Sequence, residues 1–343
     1  MRAVSIRGAG RGPFRYHLSR HLLAAALFAC GATTAWAAVD RATSETLQVA
    51  LEPLIAAAAA HPTQFAVNIP HSVSVLTQGS WEHEGGLARW QYTLRIPSAI
   101  SLSLHAAQVR LPASAKLTVS GSQATATYTA REIGRDGLWT RPLLGDVLSI
   151  ELAVDTTQAT GLQLQIDSWQ AGYRALGGVA PDHPYYQRMH ALSQSGAGGC
   201  VQNYACLSTP ANEGAAAATM AVVVSDLYQC TGTLLNNTRN DKTPYVLTAR
   251  HCQTGKLGGG DPDAASRVTL YWDAVTACGA TLGSIYDGTA LSQTGATTLV
   301  EQQDAWLLRL DAPPVAGDAA YAGWDATGGT FVGGYSVTHA LGN

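Results

Sequence analysis

Two cysteines enclose a histidine. Cys230 opens a short run with small residues at Thr231 to Thr233, a polar turn spans 236–243, and Tyr245-Val246-Leu247-Thr248-Ala249 leads straight into His251-Cys252. A bridge between Cys230 and Cys252 would close this hairpin into a loop and hold His251 at the end of a buried strand, facing outward. An imidazole fixed in that way can accept and return a proton near neutral pH, which is the work of a general base. Histidine beside cysteine also begins a zinc set, but no second Cys/His pair stands at ligand spacing. One base does not make an enzyme, so the elements around it have to be read for its partners.

The C-terminal half reads as short strands at 220–224, 230–235, 245–249, 267–272, 298–301 and 305–310, with glycine-rich turns between them. About six such strands predict a small closed antiparallel barrel. Four aspartates could face His251 in it: Asp273, Asp287, Asp304 and Asp311. Asp304 directly precedes the apolar strand Ala305-Trp306-Leu307-Leu308.

The first half has a different texture. Residues 42–61 are alanine-rich and predict a helix. After Pro62 the pattern turns to period two, as in 89–96, 100–105, 115–120, 147–154 and 162–166. Alternation of that length predicts half-buried strands, and their spacing predicts a β-sandwich of about 100 residues. No catalytic constellation appears there. Glu82, His83 and Glu84 are consecutive on one strand and cannot all face one ion. Trp81, Trp90, Trp139 and Trp169 read as core or edge packing rather than a carbohydrate groove. A linker over 177–184 and the run Gly196-Ala197-Gly198-Gly199 separate the halves and suit proteolytic processing.

The chain has 343 residues, 13% charged, with net charge −3. No basic patch suggests a nucleic-acid partner. The first 38 residues read as a signal peptide: arginines at 2, 7, 11, 15 and 20, an apolar run over 22–29, and Ala35-Trp36-Ala37 as the cleavage site. The apolar run is too short to span a bilayer, which takes about 20 residues. Leu27-Phe28-Ala29-Cys30 resembles a lipoprotein box, but the bulky Phe28 and the better downstream site favour simple export. Export to a periplasmic or extracellular space permits disulfides. Past the signal five cysteines remain, Cys200, Cys206, Cys230, Cys252 and Cys278, and the odd number needs an explanation.

The run from Cys230 to Cys252, with Asn236-Asn237-Thr238 and the ending Leu247-Thr248-Ala249-Arg250-His251-Cys252, resembles the catalytic-histidine segment of trypsin-like serine proteases, within them the bacterial lysyl-endopeptidase branch. Val268 to Trp272 followed by Cys278 is similar to the branch's next strand, Asp304 to Leu308 to its catalytic-aspartate segment, and Ala322-Gly323-Trp324-Asp325 to the crossover between its two barrels. The resemblance covers roughly residues 195–343 and, more weakly, likens the first half to pro-regions of such enzymes.

What the resemblance implies is concrete. The fold is all-β, an N-terminal β-sandwich pro-region followed by the first antiparallel barrel, and the start of the second, of a trypsin-like protease. The segments are a signal peptide over 1–38, a pro-region with linker over 39–193 and a peptidase domain over 194–343. His251 is the base and Asp304, expected to be buried, the orienting acid, with no metal or cofactor. Cys230 pairs with Cys252, Cys206 with Cys278, and Cys200 with a residue of the second barrel that this sequence lacks. Partners are protein or peptide substrates and the chain's own pro-region. The family's nucleophile motif, Gly-Asp-Ser-Gly, is absent from these 343 residues. Ser336 lies in strand-like sequence without the following glycine and does not replace it. The expectation is therefore a secreted serine endopeptidase zymogen, truncated before its serine and inactive alone. The alternative is a non-catalytic exported β-protein using the barrel as a binding module.

Overall fold

Backbone pairing and period-two burial build the first half. The computed structural model describes residues 43–58, 61, 63–174, 203–278, 283–328 and 336–339. The signal segment, the linker, the glycine run and Cys200 lie outside them. Strands β1 (Ser44–Thr46), β2 (Ala66–Ser74), β3 (Ser80–Glu84), β4 (Leu87–Arg95), β5 (Ser101–Ala106) and β6 (Gln108–Arg110) come first. Strands β7 (Lys116–Ser120), β8 (Thr125–Tyr128), β9 (Leu138–Trp139), β10 (Leu143–Leu144), β11 (Val147–Asp155) and β12 (Gln163–Gly172) follow. They form two sheets, ordered β1-β4-β11-β7-β8 with β3 on β4, and β10-β5-β12-β2 with β6 on β12 and β9 on β5.

Register follows the hydrophobic pattern. β4 and β11 pair antiparallel with Leu94 opposite Leu148, Tyr92 opposite Ile150 and Trp90 opposite Leu152. All six side chains point into one core shared by the two sheets. A slip of one residue would turn that whole set to solvent. Trp90 and Trp169 are fully buried in the core, and each indole N–H finds a carbonyl, Gln78 at 2.8 Å and His71 at 3.0 Å. These tryptophans pack the sandwich. The predicted helix over 42–61 is shorter, α1 (Leu51–Ala58), because Ser44–Thr46 joins the sheet instead, parallel to β4.

The second half comprises α2 (Tyr204–Leu207), α3 (Pro210–Ala217), β13 (Thr219–Val224), β14 (Tyr228–Leu235), β15 (Tyr245–Ala249), β16 (Val268–Trp272), α4 (Ser284–Asp287), β17 (Leu291–Thr294), β18 (Ala296–Gln302) and β19 (Ala305–Leu310). One sheet runs β17-β16-β13-β14-β15-β19-β18. Its two outer strands, β17 and β18, are consecutive in the chain and separated by Gly295 alone. Gly295 donates to Val268 O at 2.9 Å on one side, and its carbonyl accepts from Asp311 N at 3.2 Å on the other. The sheet thus rolls onto itself at this corner. Gly295 has φ +100°, and a Cβ there would meet Asp311 Oδ2 at 2.7 Å, so only glycine fits the bend. The polar sequence Leu291-Ser292-Gln293-Thr294 hid β17 from the sequence reading.

β13 and β16 are buried along both faces. Met220, Val222, Val224, Val268, Leu270 and Trp272 fill the barrel. Ala221, Val223 and Tyr271 point the other way and pack in a third cluster with Phe65, Ile100 and Leu144 of the sandwich. A strand apolar on both faces needs cover on both, and here the sandwich supplies the second. No helix among the described residues is long and apolar enough to cross a membrane.

Candidate functional site

β15 delivers the histidine. Its Val246 faces the barrel core, and its pairing with β19 ends at Ala249 opposite Ala305. One residue further, Arg250 N donates to Asp304 O at 2.7 Å. The chain then tightens into a 3₁₀ turn, Arg250–Gln253, which carries His251. Asp304 sits at the tip of the β18–β19 hairpin, next to Gln303, whose φ is +53°. The register of three strands therefore brings together two residues 53 apart in sequence.

The pair is joined twice. His251 N–H donates to Asp304 Oδ1 at 2.9 Å, and ring Nδ1 meets Oδ2 at 2.9 Å. A carboxylate is an acceptor, so Nδ1 carries the ring proton. In the neutral imidazole Nε2 is then the atom free to take another. The ring hydrogen bond above all, helped by the backbone amide, holds the Asp304 carboxyl below the usual carboxylate range against an opposing effect of burial. The His251 and Asp304 side chains are 28% and 46% exposed, so the aspartate expected to be buried is open to solvent at its hairpin tip.

The brace is present as well. Cys230 and Cys252 are bridged, with Cα atoms 6.0 Å apart, and Cys252 is buried at the start of the turn's second half. Thr248 Oγ1 donates to Thr231 O at 2.9 Å beside the bridge. Cys206 is bridged to Cys278, which ties α2 to the segment after β16. Cys230, His251 and Cys252 put three ligand-type atoms within 4.8 Å of one another. Both sulfurs are spent in the disulfide, so no thiolate is left for a metal.

Glu301 was missed in the sequence. It lies on β18 three residues before Asp304, and its carboxylate accepts from Gln253 Nε2 at 2.7 Å and Arg250 Nε at 3.4 Å. These residues flank His251, so Glu301 holds both ends of the histidine turn. Gln253 is 2% exposed, and its Oε1 accepts from Asp261 N at 2.8 Å. Asp261 pairs with Arg267, whose Nε donates to Ser225 Oγ at 3.0 Å. An acidic residue on the strand entering Asp304, with polar residues on either side of His251, was the available signal.

The rival aspartates are occupied elsewhere. Asp311 pairs with Arg135 at 3.0 Å. Asp287 accepts from Thr289 N at 2.8 Å. Asp273 is set back after β16, and burial raises its carboxyl above the usual range. Ser336 is exposed and in no strand. Ala322, in the segment read as a crossover, donates to Leu234 O at 2.8 Å and accepts from Asn236 N at 2.9 Å, beside the end of β14.

Residues 194–342 match the family described as lysyl endopeptidase, C-terminal domain. A curated lysyl endopeptidase of Pseudomonas aeruginosa is 28% identical over 199 residues, covering 55% of this chain and 40% of that protein. The chain therefore spans less than half the length of this relative. Among solved structures, the full extracellular region of zebrafish Gpr126/Adgrg6 is 9% identical, covering 82% of this chain and 35% of that one, at a TM-score of 0.23. That value is too low to bear on the fold. The sequence similarities support a protease-related family for the C-terminal half.

Proposed function

We propose that this chain carries the base and the orienting acid of a secreted serine endopeptidase, with residues 39–193 as its pro-region and 194–343 as its peptidase part. His251 is the general base and Asp304 the acid. The observation that carries this reading is the double hydrogen bond between them, ring and backbone amide at 2.9 Å each. It sets one tautomer and leaves Nε2 to take the proton of an attacking serine hydroxyl and return it to the leaving amine. The substrates are proteins or peptides. Gly-Asp-Ser-Gly does not occur in these 343 residues, and the zymogen is exported through its signal segment.

The test is covalent labelling of the protein as its host makes it, captured by antibody to the barrel and treated with a fluorophosphonate that reacts with activated serines. Labelling that disappears in a His251→Ala strain supports the proposal. Abundant protein with no labelled species overturns it and supports a non-catalytic exported β-protein that uses the barrel as a binding module. The recombinant 343-residue chain is expected to remain unlabelled.

A further inference from the structure

The turn joining β13 to β14 places a carboxyl where water is excluded. Ser225 and Asp226 both have positive φ, 54° and 50°, in a tight hairpin tip. Asp226 is 1% exposed, and neither of its carboxyl oxygens has a hydrogen-bond partner among the described residues. It faces Ser103 of β5, in the sandwich. The Ser103 hydroxyl is hydrogen-bonded to Gln170 Oε1 at 3.3 Å. A buried carboxyl without a hydrogen-bond partner is disfavoured in its charged form relative to the neutral acid.

The turn is the centre of a seam between two bodies that each have their own core. Phe65 N donates to Leu227 O at 2.9 Å, and Gln229 N donates to Thr63 O at 2.8 Å, a short antiparallel ladder across the seam. Arg141, 8% exposed, donates to Ala290 O and lies over the Tyr271 ring at 5.6 Å. The titratable and charged groups around Asp226 are Tyr128 of β8, Arg141 ahead of β10 and Tyr271 of β16, with Glu132 acting on Tyr128 and Tyr286 of α4 acting on Tyr271. Burial pushes both Tyr128 and Tyr271 well above the ordinary phenol value, so they stay neutral. Arg141 is engaged by the Ala290 carbonyl and the tyrosine face, and no ion pair ties it to Asp226 among the described residues.

We propose that the barrel face around the β13–β14 turn is a proton-gated docking surface for the sandwich of this same chain, closed while Asp226 is a neutral acid and weakened when it ionises. Burial, with Ser103 partly opposing it, pushes the Asp226 carboxyl from 3.8 up to about 8 in the docked state. Separation would return it to water and to the ordinary value. The docked state therefore binds one more proton throughout that window. Docking is strongest below the ordinary carboxylate value and weakens about tenfold per pH unit as pH rises toward the docked value, then levels off. The proposal does not depend on peptidase activity, and its test reads none.

The experiment is amide hydrogen exchange of the full chain and of Asp226→Asn, compared at matched pH from 6 to 9. Asparagine tolerates positive φ and cannot ionise. In the native chain, protection of the Phe65 and Gln229 amides relative to the variant should fall about fiftyfold between pH 6 and 8, while strands inside each core stay matched. Identical pH dependence in both proteins overturns the proposal. If the variant does not fold, carbon-13 titration of the native Asp226 carboxyl decides: a midpoint near 8 supports it, and a midpoint in the ordinary carboxylate range overturns it.

Discussion

Asp226 and Asp304 stand at the tips of two hairpins of one barrel, and their surroundings are opposite. Asp304 is half open to solvent, accepts from a backbone amide and an imidazole, and has its carboxyl lowered. Asp226 is sealed under the sandwich, meets no donor among the described residues, and has its carboxyl raised to about 8. Residue type is shared and each stands in a hairpin turn, so water and donor supply decide the charge. The Asp304 hairpin keeps a carboxylate against the His251 imidazole. The Asp226 hairpin keeps a neutral acid in an interface.

The comparison can be broken from its strongest side first. In a form of the protein that cleaves peptides, Asp304→Asn should lower kcat by about 10⁴-fold, the loss seen for the equivalent change in the best-studied serine protease, and steady-state kinetics would read it. Next come the crosslinks. Removing the Cys206–Cys278 bridge, which spans 72 residues, should cost about 4 kcal/mol on the chain-entropy account. Removing Cys230–Cys252, which spans 22, should cost about 3 kcal/mol and loosen the His251 side while leaving the Asp226 side protected. Denaturant midpoints and hydrogen exchange would separate the two effects.

The pH response should have opposite signs at the two tips. Between the ordinary carboxylate value and about 8, rising pH should remove about 1.4 kcal/mol per unit from the seam as Asp226 ionises. Asp304 is lowered, so its contribution holds above the ordinary carboxylate value and is lost as pH falls below it. Denaturation midpoints taken from below the ordinary carboxylate value up to about pH 8, in native and Asp226→Asn chains, would show the first slope vanish and the second remain. The smallest effect is expected at Glu301. Its change to Ala should cost about 1 kcal/mol for the lost hydrogen bonds and raise exchange locally at Arg250–Gln253, with the seam unchanged.

Period-two burial made β4 and β11 readable, because one face of each strand is core and the other is not. His251 and Asp304 were readable because each adjoins an apolar strand whose end fixes the side chain in space. The continuous apolar run of β13 announced cover on both faces but not what provides it. Asp226 escaped notice because Ser225-Asp226 in a turn reads as solvated, and only the packing of a distant sheet buries it. Arg135 and Arg141 carry no local pattern, and their carbonyl partners lie more than 140 residues away. The exposure of Asp304 depends on what covers the hairpin tip, which no local sequence feature encodes.

The central claim is that Asp304 fixes the tautomer of His251. Nitrogen-15 NMR of the imidazole in the 343-residue chain tests it at a pH where the ring is neutral. The account predicts a protonated Nδ1, an unprotonated Nε2 and a downfield Nδ1 proton that disappears in Asp304→Asn. A ring protonated at Nε2, or a tautomer mixture that Asp304→Asn leaves unchanged, would contradict it.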